Sequence, residues 1–246
     1  MKKKVKIIIA CTILTIFTAA CIGFFYFTPE GYRISVKIHG FREIEQNVYV
    51  DNEWSKDVKE LRQLVGDAKE RVKEFYGELV SSSVLIICDD EEKLQKLGGD
   101  HDTKTIVFDG AHSYISLSSE WLNVDIMAHE MTHAETHARL YQGRFIYKQL
   151  LPIWFDEGLA MQNDYREQYS YETWLTITNQ GNDVPGVDTY DTSEKFYAGE
   201  TEDRRKRYCL AGQEVRNWIE ENGKDSLITM LDQIRGGSKF SELYFH

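Results

Sequence analysis

Apolar and polar residues along this chain follow three different patterns. From position 7 to 28 there is no charged residue, and Ile, Phe, Leu, Ala and Cys dominate. That run is long enough to cross a bilayer as a helix. Residues 32–50 alternate in places, at Ile34, Val36 and Ile38, which predicts a strand pair with a turn near Gly40. Residues 55–79 instead carry Val58, Leu61, Leu64, Val65, Ala68, Val72, Phe75 and Tyr76 at helical spacing among many charges. This predicts an amphipathic helix ending at Gly77. Short apolar runs at 84–88, 105–108 and 114–117 predict three further strands. From about residue 120 helical patterns take over. One helix is expected over 121–142 and a second from Pro152, a favoured first-turn residue, to about 165. A third spans 204–222, capped by Gly223, and a fourth 225–235. Gly181, Pro185, Gly186, Gly199 and many acids predict a loop over 179–203. Strands first and helices afterwards give an α+β fold. A small N-terminal strand and helix part with a short sheet packs on a mainly helical part, after a transmembrane helix.

Composition narrows the classes. Among 246 residues, 42% are hydrophobic and 13% aromatic, enough for a packed core. Net charge is −11, and its distribution is uneven. Lys2, Lys3, Lys4 and Lys6 are the only charges before Glu30, so the remainder carries 25 bases against 40 acids, a net of −15. Such a surface repels phosphate backbones, which excludes nucleic acid as the expected partner. The lysines before the apolar run place the N-terminus in the cytoplasm and the following domain outside. The run ends in Phe24-Phe25-Tyr26-Phe27, suited to a membrane interface, so residues 1–28 are read as an uncleaved anchor and 29–246 as the outer domain. A cleaved signal and lipidation at Cys21 are the alternatives. Cys88 and Cys209 are the only cysteines of that outer domain, and they are either a disulfide pair or two buried thiols.

Candidate chemistry centres on residues 129–133, His129-Glu130-Met131-Thr132-His133, an HExxH motif. On a helix, positions i and i+4 lie on one face, so two imidazoles can grip one metal ion while Glu130 reaches a water on it. Val124, Met127, Met131, Ala134 and Ala138 form an apolar seam, with His129, His133 and His137 on nearly the opposite side, as for a helix between a core and a cleft. His137 is expected to line the cleft or the surface rather than to bind metal. A catalytic zinc site needs a third protein ligand and a position for water. Glu157, in Trp154-Phe155-Asp156-Glu157-Gly158-Leu159-Ala160, fits that role, because a carboxylate among apolar neighbours calls for a cation. Asp125 or Asp156 is the candidate to orient a ligand imidazole. Arg204, Arg205, Lys206 and Arg207 read as a solvated helix start.

HEMTH followed by WFDEGLA resembles the gluzincin zinc metallopeptidases, specifically the peptidase MA-like group related to alanyl-aminopeptidases. The resemblance implies zinc, one per chain, ligated by His129, His133 and Glu157, with Glu130 as catalytic base. It also implies a tyrosine on a helix after the third ligand that stabilises the oxyanion. Tyr208 is the best positional match, with a core role as its alternative and Tyr197 as runner-up. Alanyl-aminopeptidases carry an upstream G-x-M-E-N segment, whereas residues 110–114 here read Gly110-Ala111-His112-Ser113-Tyr114, without its Met and Glu. That departure points to endopeptidase action on a peptide or protein substrate. The 24-residue gap between His133 and Glu157 also makes the loop over 142–151 differ. Two other functions fit the same residues: a catalytically silent interaction domain, and a zinc hydrolase of non-peptide amides.

Overall fold

In the computed structural model, the described residues are 2–99, 104–109, 112–141, 143 and 149–244. The elements are α1 (Lys2–Phe27), α2 (Pro29–Ile34), a 3-10 turn (Val36–His39), β1 (Phe41–Glu45), β2 (Val48–Asp51), α3 (Val58–Tyr76), β3 (Ser82–Cys88) and α4 (Glu91–Lys96). They continue with β4 (Lys104–Asp109), β5 (His112–Ser118), α5 (Val124–Leu140), α6 (Ile153–Ala160), a 3-10 turn (Glu167–Tyr169) and α7 (Tyr171–Ile177). Last come α8 (Ser193–Phe196), α9 (Thr201–Asn222), α10 (Lys224–Arg235) and α11 (Phe240–Tyr244). The fold is α+β: a mixed sheet in the order β1-β2-β3-β5-β4, then mainly helices. The chain divides into two compact units. The first holds Met1–Lys56, Leu85–Thr105 and Ser116–Glu120; the second holds Asp57–Val84, Ile106–Ile115 and Trp121–His246.

In the first unit, α1 is one exposed helix whose apolar stretch Lys6–Phe27 is long enough, by length and composition, to cross a membrane. The alternation at Ile34, Val36 and Ile38 is not a strand. Pro29 sets the first turn of α2, and the Thr28 hydroxyl accepts from Gly31 N at 3.1 Å, so local capping outweighs three alternating residues. Only Val36 of the three is buried. The strand pair comes one step later, as β1 and β2. It turns at Asn47, which takes φ 63°, rather than at Gly40, whose φ of 86° ends the 3-10 turn. Arg42 pairs with Val50 and Glu43 with Tyr49, with a register irregularity before Glu45. β2 then runs parallel to β3, with Val48 opposite Leu85. Asp51 is buried and takes both charge-assisted bonds of Lys93 at 2.9 and 2.8 Å. Lys93 lies on α4, a helix the apolar pattern does not announce because a single side chain, Leu94, is buried on it.

The second unit is built around α5. Asn123 caps it, with Oδ1 accepting from Ile126 N at 2.9 Å. Helix α3 packs on it through a buried stripe of Leu61, Val65, Ala68, Val72 and Tyr76. Burying each large apolar side chain of such a stripe stabilises the fold by roughly 1.5–3 kcal/mol. The Tyr76 hydroxyl and Thr136 Oγ1 share a buried hydrogen bond of 2.6 Å. The expected division of α5 into core side and cleft side does not hold: every residue from Ile126 to Thr136 is buried. The histidine side is covered because α6 packs there as well. Even Glu135 is wholly buried, and it is satisfied by Val80 N, Ser81 N and Arg139 Nε at 2.8–3.0 Å.

Helix α6 ends at Ala160, earlier than the pattern predicts, and packs on α9. Gly158 permits that approach. A Cβ there would stand 2.5 Å from both Ala211 O and Val215 Cγ2. The expected loop before α9 contains α8, and a further helix, α7, precedes it.

Candidate metal centre

Helical periodicity stacks His129 and His133 one turn apart on α5, and α6 brings Glu157 to them. His129 Nε2 and His133 Nε2 are 3.3 Å apart, and Glu157 Oε2 lies 3.3 Å from each. The three atoms thus form an equilateral triangle. All three residues are buried, at 0%, 8% and 4% exposure. Nitrogen and oxygen ligands held tetrahedrally about 2.0–2.1 Å from an ion stand about 3.3–3.4 Å apart, so the triangle has the size that such coordination demands. Among the described residues Glu157 Oε2 has no close polar neighbour other than these two imidazole nitrogens. A buried carboxylate oxygen aimed at two imidazole nitrogens is costly without a cation. The three residues therefore fit a metal ion.

Each imidazole is braced from behind. His129 Nδ1 lies 3.3 Å from Asp164 Oδ2, and His133 Nδ1 lies 3.2 Å from Asp156 Oδ2. A carboxylate on the far nitrogen fixes ring orientation and leaves Nε2 to the ion. Asp164 is itself held by the Arg166 guanidinium, whose Nε donates at 2.8 Å and Nη2 at 2.5 Å. Neighbouring Asn163 ties this segment to α5: its Nδ2 donates to Thr132 Oγ1 at 2.8 Å, and Arg71 Nη1 donates to its carbonyl at 2.9 Å. Asp156 Oδ2 also lies 3.0 Å from His137 Nε2. Glu157 uses its other oxygen, Oε1, to accept the hydroxyl of Tyr197.

Charge is concentrated here against the cost of burial. Burial disfavours a charged His133, yet Asp156 and Glu157 outweigh it and hold the imidazole pKa well above its ordinary value. Burial equally opposes ionisation of Asp156, Glu157 and Asp164. His137 and His133 pull Asp156 below the usual carboxylate range, His133 and His129 do so for Glu157, and Arg166 and His129 for Asp164. Ionised carboxylates at this depth demand a positive charge among them.

Of the residues singled out in the sequence, His129, His133 and Glu157 converge, and Glu130 is buried beside them on α5. Tyr208 sets its ring edge-on to His129, with centroids 6.1 Å apart, and packs against Phe196 and Tyr169. His137 is half-buried on Asp156 rather than facing solvent. Of the two carboxylates expected behind a ligand, Asp156 takes that place. Asp125 does not: it accepts from Arg71 at 2.6 Å. The basic run is not wholly solvated, because Arg207 Nη1 donates to Phe196 O and Ala198 O at 2.7 and 2.5 Å and so clamps the turn that carries Tyr197. Cys88 and Cys209 are free, buried thiols. No sequence pattern singles out Asp164, Arg166 or Asn163. They follow α6 in an irregular segment, where no periodicity marks the side that faces α5. Of the segments that differ from the resembled peptidases, residues 110–111, 142 and 144–148 lie outside the described residues. No known family model, curated protein or solved structure matches the chain.

Proposed function

We propose that the chain is a membrane-anchored zinc metallopeptidase of the gluzincin kind that acts within peptide chains. The observation that carries this reading is the 3.3 Å triangle of His129 Nε2, His133 Nε2 and Glu157 Oε2, three ligands where a structural zinc site has four. Zinc, when bound, lowers the pKa of a coordinated water to about 7 and polarises the scissile carbonyl. The chain's own residues do the rest. Glu130 takes the proton from the attacking water and delivers it to the leaving amine. Tyr208 donates to the developing oxyanion, while the Tyr197 hydroxyl is engaged by the ligand Glu157. Asp164 and Asp156 hold the two imidazoles in the tautomer that presents Nε2.

The exposed helix α1 and the four lysines at its start support single-pass anchoring, with the catalytic unit outside. The missing G-x-M-E-N glutamate supports cleavage within chains rather than at a free amino terminus.

The test is Glu130→Gln in the full chain. It is expected to bind one zinc per chain with an unchanged melting temperature and to cleave no member of a peptide library that the wild type cuts. Turnover equal to wild type removes the assignment. Stoichiometric zinc with no cleavage by the wild type favours a silent interaction domain instead.

A further inference from the structure

A cavity of about 320 Å³ lies in the second unit, away from the metal centre. Leu210, Gln213, Glu214 and Asn217 line it from α9, at i, i+3, i+4 and i+7, so they form one stripe of that helix. Tyr208, two residues before Leu210, points to the other side of α9, towards His129. The cavity is thus separate from the ligand triangle.

Its walls are unusual in two respects that point the same way. Three aromatic residues from three elements converge on it: Trp154 of α6, Trp174 of α7 and Tyr244 of α11. Trp154 and Tyr244 pack edge to face, with centroids 5.3 Å apart. All of its charged lining is of one sign, Asp188 and Glu214, with no Lys or Arg among the lining residues. Glu214 Oε1 accepts the Tyr244 hydroxyl at 2.7 Å, which fixes the carboxylate against the aromatic wall. Trp154 is buried at 2% exposure and the Tyr244 ring stacks on Phe240 and Trp218, so the ring face offered to a guest is that of Trp174, which stacks on Tyr171 with its other side. An aromatic face carries negative quadrupole charge, and carboxylates beside it deepen the same potential. An anion is repelled from such a site. A neutral apolar guest would strip water from the carboxylates without replacing it.

We propose that this cavity binds an organic cation, an alkylammonium or guanidinium group, against the face of Trp174, with Glu214 and Asp188 as its counter-charges. The proposal does not depend on the peptidase reading. The cation is either a free small molecule or the side chain of a lysine or arginine in a peptide.

The experiment uses the full chain in maltoside micelles, whose headgroup carries no ammonium, with the indole resonances of Trp174 and Trp154 followed by NMR. The probes are choline, its neutral isostere 3,3-dimethylbutan-1-ol, ethylguanidinium, and end-blocked lysine and arginine tripeptides. Choline or ethylguanidinium is expected to bind saturably and at least about tenfold tighter than the neutral alcohol. Trp174→Ala and Glu214→Gln are each expected to weaken that binding at least about fivefold, with zinc content unchanged. Glu214→Gln keeps the hydrogen bond to Tyr244 and so reports on charge even where the tryptophan variant folds poorly. Tighter binding of the tripeptides than of the free cations identifies a peptide side chain as the natural source; equal or weaker binding identifies a small molecule. Equal affinity for the neutral alcohol, insensitivity to Glu214→Gln, or no saturation by any probe up to about 20 mM overturns the proposal.

Discussion

The Nε2 atoms of His129 and His133 are aimed by what sits behind the rings, Asp164 at 3.3 Å and Asp156 at 3.2 Å. Removing such a carboxylate typically costs about 10–100-fold in metal affinity. Asp164→Ala and Asp156→Ala are each expected to lose zinc affinity in that range in a chelator competition titration. Affinity unchanged in both would mean that the carboxylates do not orient the rings. In the proposed reaction the two tyrosines have different roles. Tyr208→Phe is expected to retain zinc and lower kcat about 10²- to 10³-fold with KM little changed, as for removal of one oxyanion donor. Tyr197→Phe is expected to weaken zinc binding, since its hydroxyl is spent on Glu157. The reverse pattern would exchange their roles. Burial pushes the Cys209 thiol up to about 11 and raises Cys88 as well. A raised pKa keeps sulfur protonated below that value, so at pH 8 only about one Cys209 in a thousand is thiolate. Both cysteines are therefore expected to react with a disulfide reagent only after denaturation; fast labelling of the native chain would contradict their burial.

At the level of elements, the centre depends on how α6 meets its neighbours. Gly158, the position after Glu157, lets α6 lie close against Ala211 and Val215 of α9. Gly158→Ala inserts a methyl at 2.5 Å from Ala211 O and Val215 Cγ2. Overpacking of this kind costs about 1–3 kcal/mol, measurable by urea denaturation, and should lower zinc affinity by displacing Glu157. Stability and zinc binding equal to wild type would show that α6 and α9 separate freely. The elements themselves were unequally legible. α3, β3, α5, α9 and α10 follow from long stripes, short apolar runs and caps such as Gly77 and Gly223. α2 and the 3-10 turn after it are hidden in the sequence because the Thr28-Pro29 start is a two-residue signal beneath a partial alternation. α4, α7 and α8 bury one large side chain each or none, which leaves no period to read.

For the whole molecule, the proposed metal site ties ion binding to folding, because its buried carboxylates call for a cation. A ligand bound only by the native state stabilises it by about 4 kcal/mol at a thousand times its Kd. Chelation is therefore expected to lower the melting temperature of the second unit in calorimetry, and one equivalent of zinc to restore it. A transition indifferent to chelator would mean that the triangle is held by hydrogen bonds alone.

What the sequence determined by itself was local. The apolar run before Glu30, the α+β order, the i, i+4 pair of histidines on one helix, and Glu157 in an apolar setting all follow from spacing along one backbone. Which groups stand behind those ligands was decided by tertiary structure. Asp164 approaches His129 from an irregular turn, Arg207 clamps the Tyr197 turn from a helix start that reads as solvated, and Gly158 matters only where two helices touch. The physical reason is reach. Periodicity reports the direction of a side chain relative to its own element, whereas a hydrogen bond or a steric contact depends on where another element lies. The same limit applies to the histidine side of α5, which looks open in sequence and is closed by the packing of α6.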